Sequence, residues 1–332
     1  MKSPVIHIEG LEIGYRDKSG SSVQLLPPIE LALYEGDFIA LMGPNGAGKS
    51  TLLRTLAGMH SPLSGKISLK NKDIARFDKR EMSKMIGIVL TDRIDDFFLT
   101  VYDVVCMGRY PYTGFWGELK PNDHEIVMHC LQMVGMLNLA KRTMLSLSDG
   151  ERQKVMIAKA LAQDTPIIML DEPAAFLDYP SKIELMHLLQ QLAHEDGKTI
   201  LFSSHDLELA LSSADRLWLL GRDKEVQDGI PEQLILDGFI GDYFNRSDLN
   251  FNAESGKFFR SKPAGISVQI KGEGIRAYWM KQAVLRKGYS ISDSLSNIQI
   301  LISSKGFSLL IDDKERIFTT KLEPILHELQ QI

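Results

Sequence analysis

Gly43-Pro44-Asn45-Gly46-Ala47-Gly48-Lys49-Ser50-Thr51 is the stretch from which the rest of this chain is read. It satisfies G-x-x-x-x-G-K-[ST], follows a compact apolar run at 37–42 and precedes a helical pattern at 50–57. Strand, glycine-rich loop and helix in that order form a phosphate-binding loop. Its glycines let successive backbone N–H groups turn toward an anion without a Cβ in the way. Lys49 adds a point charge, the Ser50 hydroxyl suits Mg²⁺, and the helix N-terminus favours the phosphate.

The 332 residues suffice for two domains, and 24% charged with 44% hydrophobic residues is ordinary for a globular protein. A net charge of −5 gives no sign of nucleic-acid binding, and no apolar run reaches the ~18 residues of a membrane span. The first residues lack the apolar core of a secretory signal. The two cysteines, Cys106 and Cys130, sit in apolar stretches without C-x-x-C spacing and read as buried thiols of a reducing compartment. The expectation is a cytosolic chain whose membrane association comes through a partner.

Alternating or continuous apolar runs predict strands at 5–11, 29–33, 66–69, 86–90, 166–170 and 199–203, with an edge strand at 216–220. From 100 to 163 helical periodicity takes over, with Val101, Val104, Val105 and Gly108 on one face and Ile126, Val127, Cys130, Leu131 and Val134 on another. Residues 110–117, aromatic and broken by Gly and Pro, read as a loop. A helix at 181–195 carries a stripe of Ile183, Leu185, Met186, Leu189 and Leu192. A polar stretch at 245–256 reads as a linker. Beyond it, a strand at Ile266, Val268 and Ile270 precedes a helix at 275–286 that is closed by Gly288. A hairpin follows, setting Ile298, Ile300 and Ile302 opposite Phe307, Leu309 and Ile311, and the last helix bears Ile325, Leu326, Leu329 and Ile332. Residues 247–332 hold twelve Lys and Arg against nine Asp and Glu, a mildly basic tail without a catalytic motif.

Ile167-Ile168-Met169-Leu170-Asp171-Glu172-Pro173 is an apolar strand that ends in two acids. Beside a phosphate loop, Asp171 can bind Mg²⁺ and Glu172 can orient and polarise the water that attacks a γ-phosphate. With Leu147-Ser148-Asp149-Gly150-Glu151-Arg152-Gln153, Phe176-Leu177-Asp178 and His205, these residues form an ordered series that resembles the ATP-binding subunits of ABC transporters over roughly residues 4–240. The resemblance implies an α/β P-loop NTPase fold: a mixed-sheet core, an antiparallel β subdomain and a helical subdomain at about 92–165. It further implies that Tyr15 stacks on adenine, that residues 43–51 hold the phosphates and that His205 contacts the γ-phosphate. Ser148 and Gly150 would complete the site of a second copy, and Asp178 would cross the dimer interface.

Two positions depart from that pattern. The signature reads Asp149-Gly150-Glu151 where the family usually has Gly-Gly-Gln, and Asp92 stands where a glutamine is expected to ligate Mg²⁺. Aspartate still offers a hard oxygen. Leu99-Thr100-Val101-Tyr102-Asp103-Val104-Val105, followed by Gly108-Arg109-Tyr110-Pro111-Tyr112, is similar to importers of iron-siderophore, haem and cobalamin type. The resemblance thus implies ATP and Mg²⁺ as cofactors and, as partners, a second copy, membrane permease subunits and indirectly a substrate-binding protein. It also implies a place on the cytoplasmic face of the membrane. A non-transport ATPase that clamps a soluble or nucleic-acid partner is the alternative. Residues 1–246 are expected to form the ATPase domain and 247–332 a small α+β accessory domain.

Overall fold

A computed structural model describes residues 3–16, 21–90, 98–114, 116–245, 249–260, 266–292, 294 and 296–331. The chain folds into two compact units: residues 1–245 with 251–258, and 246–250 with 259–332.

The larger unit is built on a six-stranded sheet in the order Lys224–Gly229, Arg216–Gly221, Phe38–Met42, Thr199–Ser203, Ile167–Leu170, Ile86–Val89. Only the first pair is antiparallel. The central strands are continuous apolar runs because helices and a second sheet cover both faces, as parallel sheets require. Phe38 and Phe202 stack at 5.0 Å on one side of the sheet, and Trp218 is fully buried on the other. Arg216–Gly221 is therefore an interior strand, not the expected edge. The edge is Lys224–Gly229, which carries no apolar alternation and is held by its antiparallel ladder.

A four-stranded antiparallel sheet, Ile29–Leu33, Ile6–Glu12, Ser64–Leu69, Lys72–Asp73, forms the β subdomain. Among the described residues of 100–163 there is no strand, and the regular structure is helices and short 3-10 turns, apart from one bridge between Thr100 and Thr143. Val101–Cys106, Pro121–Met133 and Asp149–Ala162 pack into one core. Gly108 lies so close to the last of these helices that a Cβ would stand 2.3 Å from the Lys159 carbonyl. The 110–112 part of the expected loop is the end of a 3-10 turn, Met107–Tyr112, and its Arg109 is buried rather than displayed. Arg109 Nε donates to Asp123 at 2.8 Å, another guanidinium nitrogen donates to Ala162 O, and Tyr112 stacks on the group at 4.2 Å. Burial pushes the Asp123 carboxyl up, but the Lys120 amide and Arg109 outweigh it and leave Asp123 below the usual carboxylate range.

The helix after the second acid begins earlier than expected, at Tyr179–His194, because Asp178 caps it and Pro180 fits its first turn. Ile183 faces outward, so the buried stripe is Leu185, Met186, Leu189, Leu192 and Ala193. The stretch expected to be a polar linker contains a hairpin, Leu249–Asn252 with Lys257–Arg260, whose Phe251 and Phe258 pack beside Phe244.

The smaller unit has the sheet order Ser290–Ile291, Ser267–Lys271, Ile298–Ile302, Phe307–Ile311, Lys314–Thr319, with helices Gly274–Lys287 and Leu322–Leu329. Gly288 caps the first helix at φ +97. The hairpin register pairs Ile298 with Ile311, Ile300 with Leu309 and Ile302 with Phe307, as expected. Val268, Met280, Val284, Ile300, Leu309, Ile325 and Leu329 are its buried centre. Both cysteines are free and buried. Among the described residues no helix is long and apolar enough to cross a membrane.

Candidate active site

Phe38–Met42, Thr199–Ser203 and Ile167–Leu170 are parallel neighbours, so the residues that follow each strand emerge at the same end of the sheet. Carboxyl ends of parallel strands are where ligands of such folds bind. Residues 43–48 follow the first strand, His205 the second, and Asp171 and Glu172 the third.

The loop turns through Gly43, Gly46 and Gly48 at φ +155, +79 and +93, and the helix Lys49–Leu56 starts directly behind it. At Gly43 a Cβ would stand 2.4 Å from Leu220 O, so space as well as conformation demands glycine. Ala47 closes the loop by donating its amide to Pro44 O at 3.1 Å, while Asn45, Gly46 and Ser50 face outward. Lys49 is buried, its Nζ donating to Gly43 O at 2.8 Å and to Pro44 O at 3.3 Å. Burial lowers the pKa of this ammonium, opposed by the charges of Glu172 and Asp171. Tyr15 is half exposed, and its hydroxyl bonds Thr51 Oγ1 at 2.7 Å. Its ring lies 5.5 Å from that of His60, which bonds Gly14 O and carries no sequence signal of its own.

Asp171 is buried and receives the Ser203 hydroxyl at 2.6 Å on Oδ1. Glu172 sits at φ +50, in the left-handed region that favours glycine, and donates its amide to the same Ser203 oxygen at 2.9 Å. Its Oε2 lies 3.3 Å from His205 Nδ1. Downstream, Asp206 caps the helix Leu207–Ser213 and pairs with Lys182 at 3.0 Å, fixing the turn that carries His205. Sequence reasoning misses Ser203, Lys182 and Asp206. Only Asp206 gives a local signal, as an acid opening a helix.

Ser148 caps the helix Asp149–Ala162, and Glu151 reaches back to it in a capping box. Gly150 faces the segment behind Glu172, where a Cβ would stand 3.0 Å from Phe176 O. Thus Lys49, Asp171, Glu172 and His205 come together, whereas Ser148 and Gly150 stand against residues 176–177. Asp178 is the exposed cap of the next helix, its carboxylate accepting the Ser181 amide. Asp92 lies outside the described residues.

A buried lysine in a glycine loop, a buried acid and a histidine-paired glutamate at the carboxyl ends of a parallel sheet define a P-loop ATPase of mixed-sheet type. The ABC transporter family profile matches residues 26–175. An ABC transporter ATP-binding protein of Methanocaldococcus jannaschii is 37% identical over 76% of this chain and 86% of that one. The ferric enterobactin transport ATP-binding protein of Escherichia coli is 37% identical over 60% of this chain and 74% of its own. Among solved structures, a dimeric bacterial ABC transporter cassette is 29% identical with a TM-score of 0.61, over 68% of this chain and 98% of that one. The chain belongs to the ATP-binding subunits of ABC transporters, and it is an ATPase.

Proposed function

We propose that two copies of this chain close on two ATP molecules and drive uptake of a metal chelate, of iron-siderophore, haem or cobalamin type, through membrane permease subunits. The observation that carries this reading is that Lys49, Asp171, Glu172 and His205 follow the carboxyl ends of neighbouring parallel strands, with Glu172 Oε2 3.3 Å from His205 Nδ1. The likeness to the ferric enterobactin protein supports the chelate class.

The amides of residues 43–51 receive the β- and γ-phosphates, with Lys49 as the point charge. The exposed Tyr15 ring offers adenine a stacking surface. Ser50 and Asp171 supply one hydroxyl and one carboxylate, a hard-oxygen set that fits Mg²⁺, which keeps several waters and phosphate oxygens of its own. Bound there, Mg²⁺ would neutralise charge on the phosphates. Asp92 belongs to the same proposal on the strength of the sequence alone. Glu172 takes the proton of the attacking water, and His205, whose Nδ1 lies 3.3 Å from Glu172 Oε2, turns to the γ-phosphate when nucleotide arrives. Ser148 and Gly150 of the second copy close the site across a helix N-terminus, with Asp178 at the crossing. The subunit works peripherally at the cytoplasmic face, and a substrate-binding protein delivers the chelate to the permease.

Glu172→Gln tests the core of this reading. It is expected to abolish steady-state ATP hydrolysis while keeping ATP binding and accumulating a dimer on size-exclusion chromatography. Hydrolysis at the unsubstituted rate would overturn the assignment of the base.

A further inference from the structure

We propose that Ser203 is a positioning residue for hydrolysis, a single hydroxyl that fixes the carboxylate of Asp171 and the backbone of Glu172 relative to each other. The inference rests on the roles proposed for those two acids.

Ser203 ends the strand that lies between the phosphate-loop strand and the strand carrying the acids, and it is completely buried. Its Oγ is 2.6 Å from Asp171 Oδ1 and 2.9 Å from Glu172 N. An amide N–H can only donate, so the hydroxyl accepts from Glu172 and its one hydrogen goes to Asp171. The bond to a carboxylate is of the short, charge-assisted kind. It also marks where the ladder ends. Asp171 N still donates to Val89 O at 2.8 Å, but the next amide, that of Glu172, turns away at φ +50 to the serine instead. Ser203 thereby satisfies, through its side chain, a part-buried amide just past the end of the strand.

Completely buried, the serine acts through the two neighbours it bonds. Glu172 takes its side-chain direction from a strained backbone held by this bond, and Asp171 presents its second oxygen because the first is tied down. Threonine keeps the hydroxyl and suits a strand. Valine has threonine's shape and nothing to donate or accept.

The test compares Ser203→Thr with Ser203→Val in the full chain, beside Ser203→Ala and Glu172→Gln. Ser203→Val and Ser203→Ala are expected to lower kcat by about 10- to 100-fold with KM for ATP within about threefold, as a small misplacement of reacting groups does. Ser203→Thr is expected to stay within about threefold of the unsubstituted rate, since it keeps the positioned bond. A second readout is the rise in melting temperature that ATP gives with Mg²⁺ compared with ATP in EDTA. That difference is expected to shrink in Val and Ala variants and persist in Thr. Equal impairment of Thr and Val in folded protein would assign the effect to packing and overturn the proposal, as would unchanged kcat and an unchanged Mg²⁺-dependent rise in Val. Hydrolysis by Glu172→Gln at the unsubstituted rate would instead sink the base assignment, and the Asp171 half of the proposal would still be read from the Mg²⁺ difference.

Discussion

Glu151 folds back on Ser148: its Oε2 accepts the Ser148 amide at 2.8 Å and the Ser148 hydroxyl at 3.0 Å. The Ser148 amide, followed by burial and the hydroxyl, sets the balance that holds the Glu151 carboxyl below its usual range. Asp149 is drawn off in the other direction, to Arg152 at 2.9 Å. Both acids of the unusual signature are thus engaged within their own helix turn. Glutamine at 151 can close the same capping box without the charge. Glu151→Gln is therefore expected to leave the melting temperature nearly unchanged while lowering the ATP concentration for half-maximal dimerisation by about 2- to 5-fold, since an anion no longer sits beside a phosphate site. Analytical ultracentrifugation in the Glu172→Gln background measures it, and an unchanged midpoint would count against a dimer-spanning role for this turn.

Tyr15 presents two separable contributions. Tyr15→Phe removes the bond to Thr51 but keeps the ring, so ATP affinity is expected to stay within about twofold. Tyr15→Ala removes the stacking surface and is expected to weaken binding by about 5- to 10-fold, corresponding to roughly 1–1.5 kcal/mol. Isothermal titration of both variants separates ring from hydroxyl.

Arg109 and Asp123 form a buried pair that nothing in the catalytic reading uses. Arg109→Ala leaves the Asp123 charge buried without its guanidinium and is expected to destabilise the larger unit by about 3–5 kcal/mol. The folded pKa of Asp123 is depressed, so its contribution is complete above the unfolded carboxylate value of 3.8 and is lost as pH falls through the lower folded value. Urea unfolding at pH 7 and across the acid range checks both the magnitude and the sign.

The buried centres of the two units share no residue. A chain ending at 260 is expected to fold and hydrolyse ATP. One ending at 246 loses Phe251 and Phe258 from the larger core and is expected to be less stable by about 2–4 kcal/mol, the value of burying two aromatic side chains in part. Thermal melts of the two truncations decide it.

What can be read from the sequence is what is local. The phosphate loop, the two acids, the capping of the 274–287 helix by Gly288 and the 298–311 hairpin register all depend on spacing within about fifteen residues. Lys224–Gly229 escapes because an edge strand can be stabilised by backbone pairing alone, and its Lys, Glu, Gln and Asp give no period. Arg216–Gly221 reads as an edge only while its unbroken apolar run is overlooked, since such a run implies two covered faces. Ile183 fits a helical stripe by spacing but lies outside it because the helix is covered over a narrower arc. Ser203 is an unremarkable serine in a strand until Asp171, 32 residues earlier, is folded against it.

The close approach of Gly150 to Phe176 has a mechanical consequence. Phe176 lies four residues after Glu172, on the backbone that leaves the proposed base, whereas Gly150 sits at the start of the helix that the proposed dimer would offer to the other copy's nucleotide. In a closed pair each chain would hold one end of a crank in its own site and the other end in its neighbour's. In the proposed dimer, cleavage on one side would then not relax without nudging the grip on the other, and the two ATP molecules would be consumed by a linked engine rather than by two independent ones. Gly150→Ala jams that bearing, and the Hill coefficient for ATP is expected to fall toward one.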